Sequence, residues 1–144
     1  MFKGGKSADQ NVLMVLAALR RIQREGDGSN SFAIFHSDEE KNYYIQFLGQ
    51  CGEPNLYGDC VSNRNLHPEF ALDSDQICRL RTLGWNPPEG DNRPNFYRWW
   101  KAVNDEDLKV IARHVMRTFV EVYGFRLYQS LDVDLELSTG YRCG

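Results

Sequence analysis

The stretch SFAIFHSDEEKNYYIQFL, residues 31–48, contains two runs of aromatic and β-branched residues separated by a short polar segment. The runs 31–36 and 42–48 each have the length and composition of a strand, and the polar segment between them fits a hairpin loop. After the turn-forming sequence at 51–54, residues 55–62 give a third strand. This part of the chain therefore predicts an antiparallel meander of three strands.

Three other segments repeat apolar residues at helical spacing. Capping boxes start the first helix at Ser7 and the second at Asp73, and Asn104 caps the third. Glycines end these helices, at Gly26, Gly84 and Gly124. Strands are predicted at 96–100 and 131–137. The predicted fold is α+β, an antiparallel sheet with packed helices in the order α-β-β-β-α-β-α plus a C-terminal strand.

The length and charge of the chain limit the functions to consider. The 144 residues correspond to a single domain. The net charge is −3, and the 17 basic residues are scattered among 20 acidic ones, so neither nucleic acid nor an anionic membrane is an expected partner. No run approaches the roughly 18 apolar residues of a membrane span, and the N-terminus has no apolar signal segment. We therefore expect a cytoplasmic protein.

The last predicted strand alternates apolar and acidic residues. The apolar residues point one way, whereas Asp132, Asp134 and Glu136 share the other face. Three carboxylates at this spacing could hold a hard cation. The competing interpretation is a charged face that prevents edge-to-edge aggregation, and we favour it.

Four cysteines, Cys51, Cys60, Cys78 and Cys143, show no CxxC pairing and are too sparse for a disulfide scaffold. All four are predicted to be reduced, with Cys60 and Cys78 in the core. A cysteine-dependent hydrolase would have to combine a cysteine with a histidine, from Cys51, Cys60, His36, His67 and His114, but no local signature supports one. The chain is predicted to be no enzyme and to have no cofactor and no metal site.

Five short sequences occur in a fixed order: Tyr44-Ile45-Gln46-Phe47, Val61-Ser62-Asn63-Arg64 with Leu66, Leu83-Gly84-Trp85 with Pro87-Pro88, Asn95-Phe96, and Tyr123-Gly124. Together with the order of elements, they resemble the TY-Chap peptide-binding chaperone domains, related to type III secretion chaperones of the CesT kind and to YbjN proteins. The resemblance covers residues 7–124 and leaves 125–144 as a C-terminal extension. It implies a twisted antiparallel sheet, frequent dimers, and a function in holding a segment of another polypeptide.

The resemblance supplies no site residues, so the candidates come from side-chain chemistry. Asn63 and Arg64 could grip a carbonyl or carboxylate of a bound peptide; alternatively Asn63 caps a turn and Arg64 pairs with a nearby acid. Rigid aromatic rings could form a groove wall. The candidate peptide-binding residues are Asn63, Arg64, Trp85, Phe96, Arg98, Trp99 and Trp100.

Alternation along strand 96–100 puts Phe96, Arg98 and Trp100 on one face and Tyr97 and Trp99 on the other, one face being core. The broad apolar surface of the first helix predicts a homodimer. The expected function is a non-catalytic chaperone-like domain that holds an extended client segment, and the main alternative is a structural or dimerisation module with one fixed partner.

Overall fold

The computed structural model describes residues 8–137, apart from the side chains of residues 8, 28 and 29. The elements are α1 (Ala8–Glu25), β1 (Asp27–Asp38), β2 (Tyr43–Gln50), β3 (Asn55–Cys60), α2 (Ser74–Thr82), β4 (Phe96–Lys101), α3 (Asp105–Glu121) and β5 (Asp132–Glu136), with 3-10 turns at Asn63–Asn65 and Pro68–Phe70. This order confirms the predicted α-β-β-β-α-β-α-β sequence and the α+β class.

The five strands form one antiparallel sheet in the order β4-β3-β2-β1-β5. β2 lies at its centre, between β1 and β3, and β5 pairs with the outer side of β1. The predicted meander and the predicted C-terminal strand are both confirmed. The edges of the sheet are β4 on one side and β5 on the other.

The hydrophobic core lies on one face of this sheet. α1 packs against α3 and against β1 and β2, and each helix contributes buried side chains to the same cluster as the strands. Alternate strand residues point into that cluster: Ala33, Phe35, Tyr43, Ile45, Phe47, Leu56, Cys60, Phe96 and Trp100. We call this the core face and the opposite side the open face.

The helix starts follow the sequence pattern. Asp73 and Gln76 form the predicted capping box of α2, since each side-chain oxygen accepts a hydrogen bond from the other residue's backbone N–H at 2.8 Å. Asn104 caps α3 by accepting a hydrogen bond from the N–H of Asp107 at 2.9 Å. The acids in the first turn of α3 interact favourably with the positive end of the helix dipole. Ser7, the predicted cap of α1, lies outside the described residues.

β1 begins at Asp27 rather than at residue 31, where the sequence predicted its start. Gly26 lies so close to the neighbouring strand that a Cβ on it would come within 2.3 Å of the Gly49 carbonyl oxygen. The backbone N–H of Cys51 also donates to the Gly26 carbonyl at 2.8 Å. Asp27 then pairs with Gln50. A close approach between distant segments thus extends the strand into a sequence of turn-like composition.

Asn11 attaches the C-terminal segment to α1. Its side chain is fully buried; Nδ2 donates to the Gln129 carbonyl at 2.8 Å, and Oδ1 accepts from the N–H of Leu131 at 3.2 Å. Leu131, which is also buried, immediately precedes β5. Asn11 therefore fixes where the last strand begins, because buried backbone groups need hydrogen-bond partners.

We predict that Asn11→Ala lowers the free energy of unfolding by about 1–3 kcal/mol, because the backbone groups of Gln129 and Leu131 lose their partner. Urea unfolding followed by circular dichroism measures the change. Asn92→Ala is the matched control: Asn92 is exposed, and its replacement should change stability by less than about 0.5 kcal/mol. Equal stabilities of the two variants would contradict this role for Asn11.

Candidate functional site

The open face is covered by no helix within the described part of the chain. It carries the strand residues that alternate with the core set: Phe32, Ile34 and His36 on β1, Tyr44, Gln46 and Leu48 on β2, Tyr57 and Asp59 on β3, Tyr97, Trp99 and Lys101 on β4, and Asp132, Asp134 and Glu136 on β5. An uncovered face of an antiparallel sheet is ordinarily polar. Much of this one is aromatic or aliphatic, which marks it as a candidate binding surface.

An aromatic cluster occupies the β3–β4 side of the open face. Trp99 is 58% exposed, and its ring lies 4.9 Å from that of Tyr57 in an edge-to-face arrangement. Tyr57 in turn stacks against Tyr97 at 6.2 Å, and the guanidinium of Arg93 lies 4.6 Å above the Tyr97 ring. Burial raises the pKa of the Tyr57 hydroxyl. Contacts on both sides hold Tyr57 and Tyr97 in place, while Trp99 remains accessible.

A cavity of about 280 Å³ opens beside Trp99. Its floor and walls combine apolar, amide and carboxylate groups from β2, β3, β4 and the turn after β2: Leu48, Gly49, Gln50, Glu53, Asn55, Tyr57 and Trp99. A space of this size accepts one large apolar side chain. The amides and the carboxylate at its rim offer hydrogen bonds to the backbone of a bound segment.

A buried polar network lies next to the aromatic cluster. Asp59 accepts hydrogen bonds from Gln46 Nε2 at 3.0 Å and from Asn95 Nδ2 at 3.1 Å. Asn95 also donates to the Tyr44 hydroxyl at 2.8 Å and accepts from the backbone N–H of Ser62 at 3.1 Å. The network ties the loop before β4 and the turn after β3 to the sheet, and so fixes one border of the open face.

Asn63 and Arg64 are engaged in contacts within the protein. Asn63 donates to the Leu72 carbonyl at 3.0 Å and accepts from the Leu72 N–H at 2.6 Å. Arg64 donates to the Gly90 carbonyl and to the Asp91 carboxylate, both at 2.7 Å. Of the two interpretations left open by the sequence, the structure shows the one in which these side chains organise turns and pair with a nearby acid.

Trp85, Phe96 and Trp100 are buried in the core. Trp85 donates from Nε1 to Thr118 Oγ1 at 3.1 Å and meets the Trp100 ring edge-to-face at 6.1 Å. Arg98 lies on the core face too, its guanidinium 3.7 Å from the Trp100 ring centre. Among the aromatic residues predicted to bind a peptide, Trp99 is exposed, whereas Trp85, Phe96 and Trp100 belong to the core beneath the open face.

The cysteines differ from prediction at two positions. Cys60 is a buried free thiol, as predicted, and burial raises its pKa well above the usual range. Cys78, predicted to be core, is exposed. Cys51 forms a disulfide, which corrects the prediction of reduced thiols throughout; an accessible thiol at a turn is the kind that can pair. Cys143 lies outside the described residues.

None of the histidines is joined to a cysteine by a hydrogen bond among residues 8–137. His114 packs against Trp100 with ring centres 4.8 Å apart, and its Nε2 lies 2.7 Å from the Leu83 carbonyl oxygen. Burial lowers the pKa of His114. His67 accepts the N–H of the residue two further on, and His36 lies beside Tyr44 on the open face. These arrangements are structural and show no nucleophile with a base.

Sequence reasoning missed the residues that surround Trp99. Tyr57 and Leu48, which line the cavity beside Trp99, come from two neighbouring strands that the sheet register brings together, and no local sequence motif identifies them. The one available signal is the alternation in β2, where Tyr44, Gln46 and Leu48 give the second face its own apolar character.

A family model matches most of the chain. It is TY-Chap3, described as T3SS (YopN, CesT) and YbjN peptide-binding chaperone 3, and it aligns with residues 8–136. The chain belongs to this family. No curated protein and no solved structure matches it significantly. The match includes β5, which the resemblance noted from the sequence had left outside, and it places the protein among peptide-binding chaperone domains.

The TY-Chap3 domain can be compared with the requirements of a membrane span and of a metal site. Among the described residues, no helix combines the length and apolar character needed to cross a membrane. The same part of the chain contains no group of three or more acidic, histidine or cysteine side chains arranged to hold a metal ion.

Burial raises the pKa of Asp59 in the TY-Chap3 domain, because desolvation outweighs the hydrogen bonds from Gln46 and Asn95. Between the unfolded-state pKa and this raised folded-state pKa, the folded protein binds more protons than the unfolded chain. The free energy of unfolding should therefore fall as the pH rises through that interval, from about pH 4 upward.

We predict that Asp59→Asn removes this pH dependence. The new amide can keep both hydrogen bonds if the Gln46 amide turns over, so the variant should gain stability relative to wild type as the pH rises above about 4. Urea unfolding at several pH values tests this. Glu40→Gln, which removes an exposed carboxylate, should run parallel to wild type. A constant difference between Asp59→Asn and wild type would refute the assignment.

Proposed function

We propose that this TY-Chap3 domain is a non-catalytic chaperone that holds an extended segment of a client polypeptide against its open face. The observation that carries the proposal is the exposed Trp99 ring beside a cavity of about 280 Å³, on a sheet face that no helix of residues 8–137 covers. An aromatic side chain and a cavity of this kind supply an anchor point, and the neighbouring half-buried apolar residues supply area. The family to which the chain belongs supports a peptide as the ligand.

Binding across the face is favoured over addition of the client as a further strand. On β4, Tyr97 exchanges two backbone hydrogen bonds with Asn86, at 2.8 and 3.0 Å, so a loop already occupies part of that edge. In the rest of β4, only Trp99 and Lys101 have backbone N–H and C=O groups that point away from β3. A client strand added at this edge could therefore form few backbone hydrogen bonds. On β5, the acidic residues discourage pairing with another strand. The side chains of the open face therefore provide the larger surface.

We also propose a homodimer formed through α1. A mainly apolar groove of about 460 Å³ lies between α1 and β5, lined by Met14, Ala17, Ala18, Arg20, Arg21, Val133 and Leu135. Beside it Leu13 projects from α1 and is 58% exposed. In a dimer with a two-fold axis, Leu13 of each protomer can insert into the groove of its partner. The small side chain of Ala17 allows the two α1 helices to approach each other closely. Such a dimer would leave the open face free, because α1 lies on the other side of the sheet.

The location that we propose is the cytoplasm. Cys60 and Cys78 are free thiols, which a reducing compartment maintains. The disulfide at Cys51 is the observation that counts against it. Thiol titration of the protein taken from its native host, under conditions that trap the redox state, tests the proposal. A Cys51 that is reduced in the cell would show that its disulfide forms only later and would support the cytoplasm, whereas a Cys51 that is oxidised in the cell would overturn the proposal.

We predict that Trp99→Ala weakens the binding of client peptides by about 2 kcal/mol or more, because it removes the exposed aromatic anchor. A peptide array identifies binders, and calorimetry measures their affinity. Tyr128→Ala is the control, since Tyr128 is 60% exposed but lies outside the sheet. Arg64→Ala should change affinity by less than about 1 kcal/mol, because its guanidinium is engaged with Gly90 and Asp91.

Three outcomes would overturn this site: no peptide binds, Trp99→Ala binds as wild type does, or Arg64→Ala matches the loss expected for Trp99→Ala. Tryptophan fluorescence gives an independent readout. Trp85 and Trp100 are buried, so a shift in emission on peptide binding should disappear in Trp99→Ala.

For the dimer, we predict by light scattering twice the chain mass of 16.7 kDa at micromolar concentration. Leu13→Asp should convert it to the monomer, because a charge would be buried in an apolar interface. Val110→Asp on α3 is a matched control, since Val110 is exposed to the same fraction of 58% and lies outside the groove. A monomeric mass for the wild-type protein would rule out this dimer and leave the peptide site unaffected.

A further inference from the structure

The three carboxylates of β5 lie on the open face. Direct cross-strand neighbours in an antiparallel pair share a face, and Asp132, Asp134 and Glu136 are opposite His36, Ile34 and Phe32 respectively. All three acidic residues are exposed. They form an acidic border to the surface on which we propose that the client lies.

These carboxylates lack a basic partner in the described part of the chain. The salt bridges of residues 8–137 involve other acids, on the helices and at Asp91. A hydrogen bond with Asp134 raises the pKa of Glu136, as expected when two acidic groups approach each other without an intervening cation. A positive charge placed beside them would relieve this repulsion.

A continuous row of side chains joins the acidic border to the aromatic cluster. The strand registers place Glu136 opposite Phe32, Phe32 opposite Leu48, Leu48 opposite Tyr57, and Tyr57 opposite Trp99. Four strand spacings separate the ends of the row, a distance of about 19 Å. An extended peptide of about six residues covers that distance at roughly 3.3 Å per residue.

The two ends of the row differ in charge. Near Trp99, Lys101 of β4 and Glu53 at the rim of the cavity have opposite charges. Near β5, the three carboxylates have no such counterpart on neighbouring β1, whose open-face residues are Phe32, Ile34 and His36. A basic residue of a bound segment is therefore favoured more at the β5 end, with three carboxylates, than at the Trp99 end, where Lys101 lies near Glu53.

We propose that the open face selects client segments in which an aromatic or large aliphatic residue is followed or preceded, about six residues away, by lysine or arginine. The apolar residue occupies the cavity beside Trp99, and the basic side chain reaches the carboxylates of β5. This inference rests on the proposed function and specifies the chemistry of its ligand. Protection of the β5 edge needs the same charges but predicts no preference among peptides, so binding measurements distinguish the two roles.

The test uses labelled peptides of about nine residues on a Ser/Gly background, each with one Phe near one end, made in both chain directions. One set carries two lysines near the far end, a second carries two glutamates there, and a third carries the lysines next to Phe. We expect the distant-lysine set to bind about threefold to tenfold more tightly than the other two at low salt. The advantage should shrink as salt is added.

The same peptides are then measured with a triple variant that removes the β5 charges: Asp132→Asn, Asp134→Asn and Glu136→Gln. A separate variant, Asp105→Asn on α3, is the control for loss of a negative charge away from the open face. The triple variant should bind the three peptide sets equally, whereas the control should keep the wild-type preference. Equal binding of all sets by wild type, with binding lost in Trp99→Ala, would overturn this selectivity and preserve the peptide site. Failure of every set to bind would overturn both.

Discussion

The structure depends on one constraint: the helices of residues 8–137 pack on the same face of the sheet. Phe35 and Phe47 meet there at 6.4 Å and, with Phe119 of α3, are fully buried. Such one-sided packing buries alternate residues of β1 to β4 and leaves most of the others partly or fully exposed. A sheet of this kind can be stable with a wholly polar outer face. Tyr44 packs against the core cluster, but the other aromatic and aliphatic residues of the open face lie outside it, in agreement with the binding role that we propose.

The same constraint determines which aromatic residues can serve a ligand. β4 has the sequence Phe96-Tyr97-Arg98-Trp99-Trp100, and alternation divides it into two sets. Trp100 falls on the core face, where Trp85 and His114 pack against it, and Trp99 falls on the open face. Neighbouring residues of identical type thus have opposite roles, because the position of the helices decides between them. Rigid support beneath β4 also holds the Trp99 backbone in place without restricting its ring.

Much of the fold follows from local signals in the sequence. The capping box of Asp73 and Gln76 and the cap Asn104 fix helix starts through contacts within a few residues, so the sequence alone predicts them. The site depends on contacts between distant segments. Alternation separated Trp99 from Trp100 but gave no indication of which one faces the helices. The early start of β1 likewise depends on the close approach of the Gly26 and Gly49 backbones. No local sequence pattern predicts this contact.

The apolar residues of the open face create a hazard of aggregation, and the borders of that face reduce it. On one side, Asn95 and Asp59 hold a loop against the sheet, and Asn86 of that loop covers part of the β4 edge. On the other side, the acidic residues of β5 repel a second copy of the same edge. These borders limit the apolar area of the open face. The same negative charges can both prevent self-association and attract a basic segment. Two acidic β5 edges repel each other, whereas a positively charged peptide is attracted to either one. Under the selectivity that we propose, the same three carboxylates would both protect the β5 edge and favour a basic ligand.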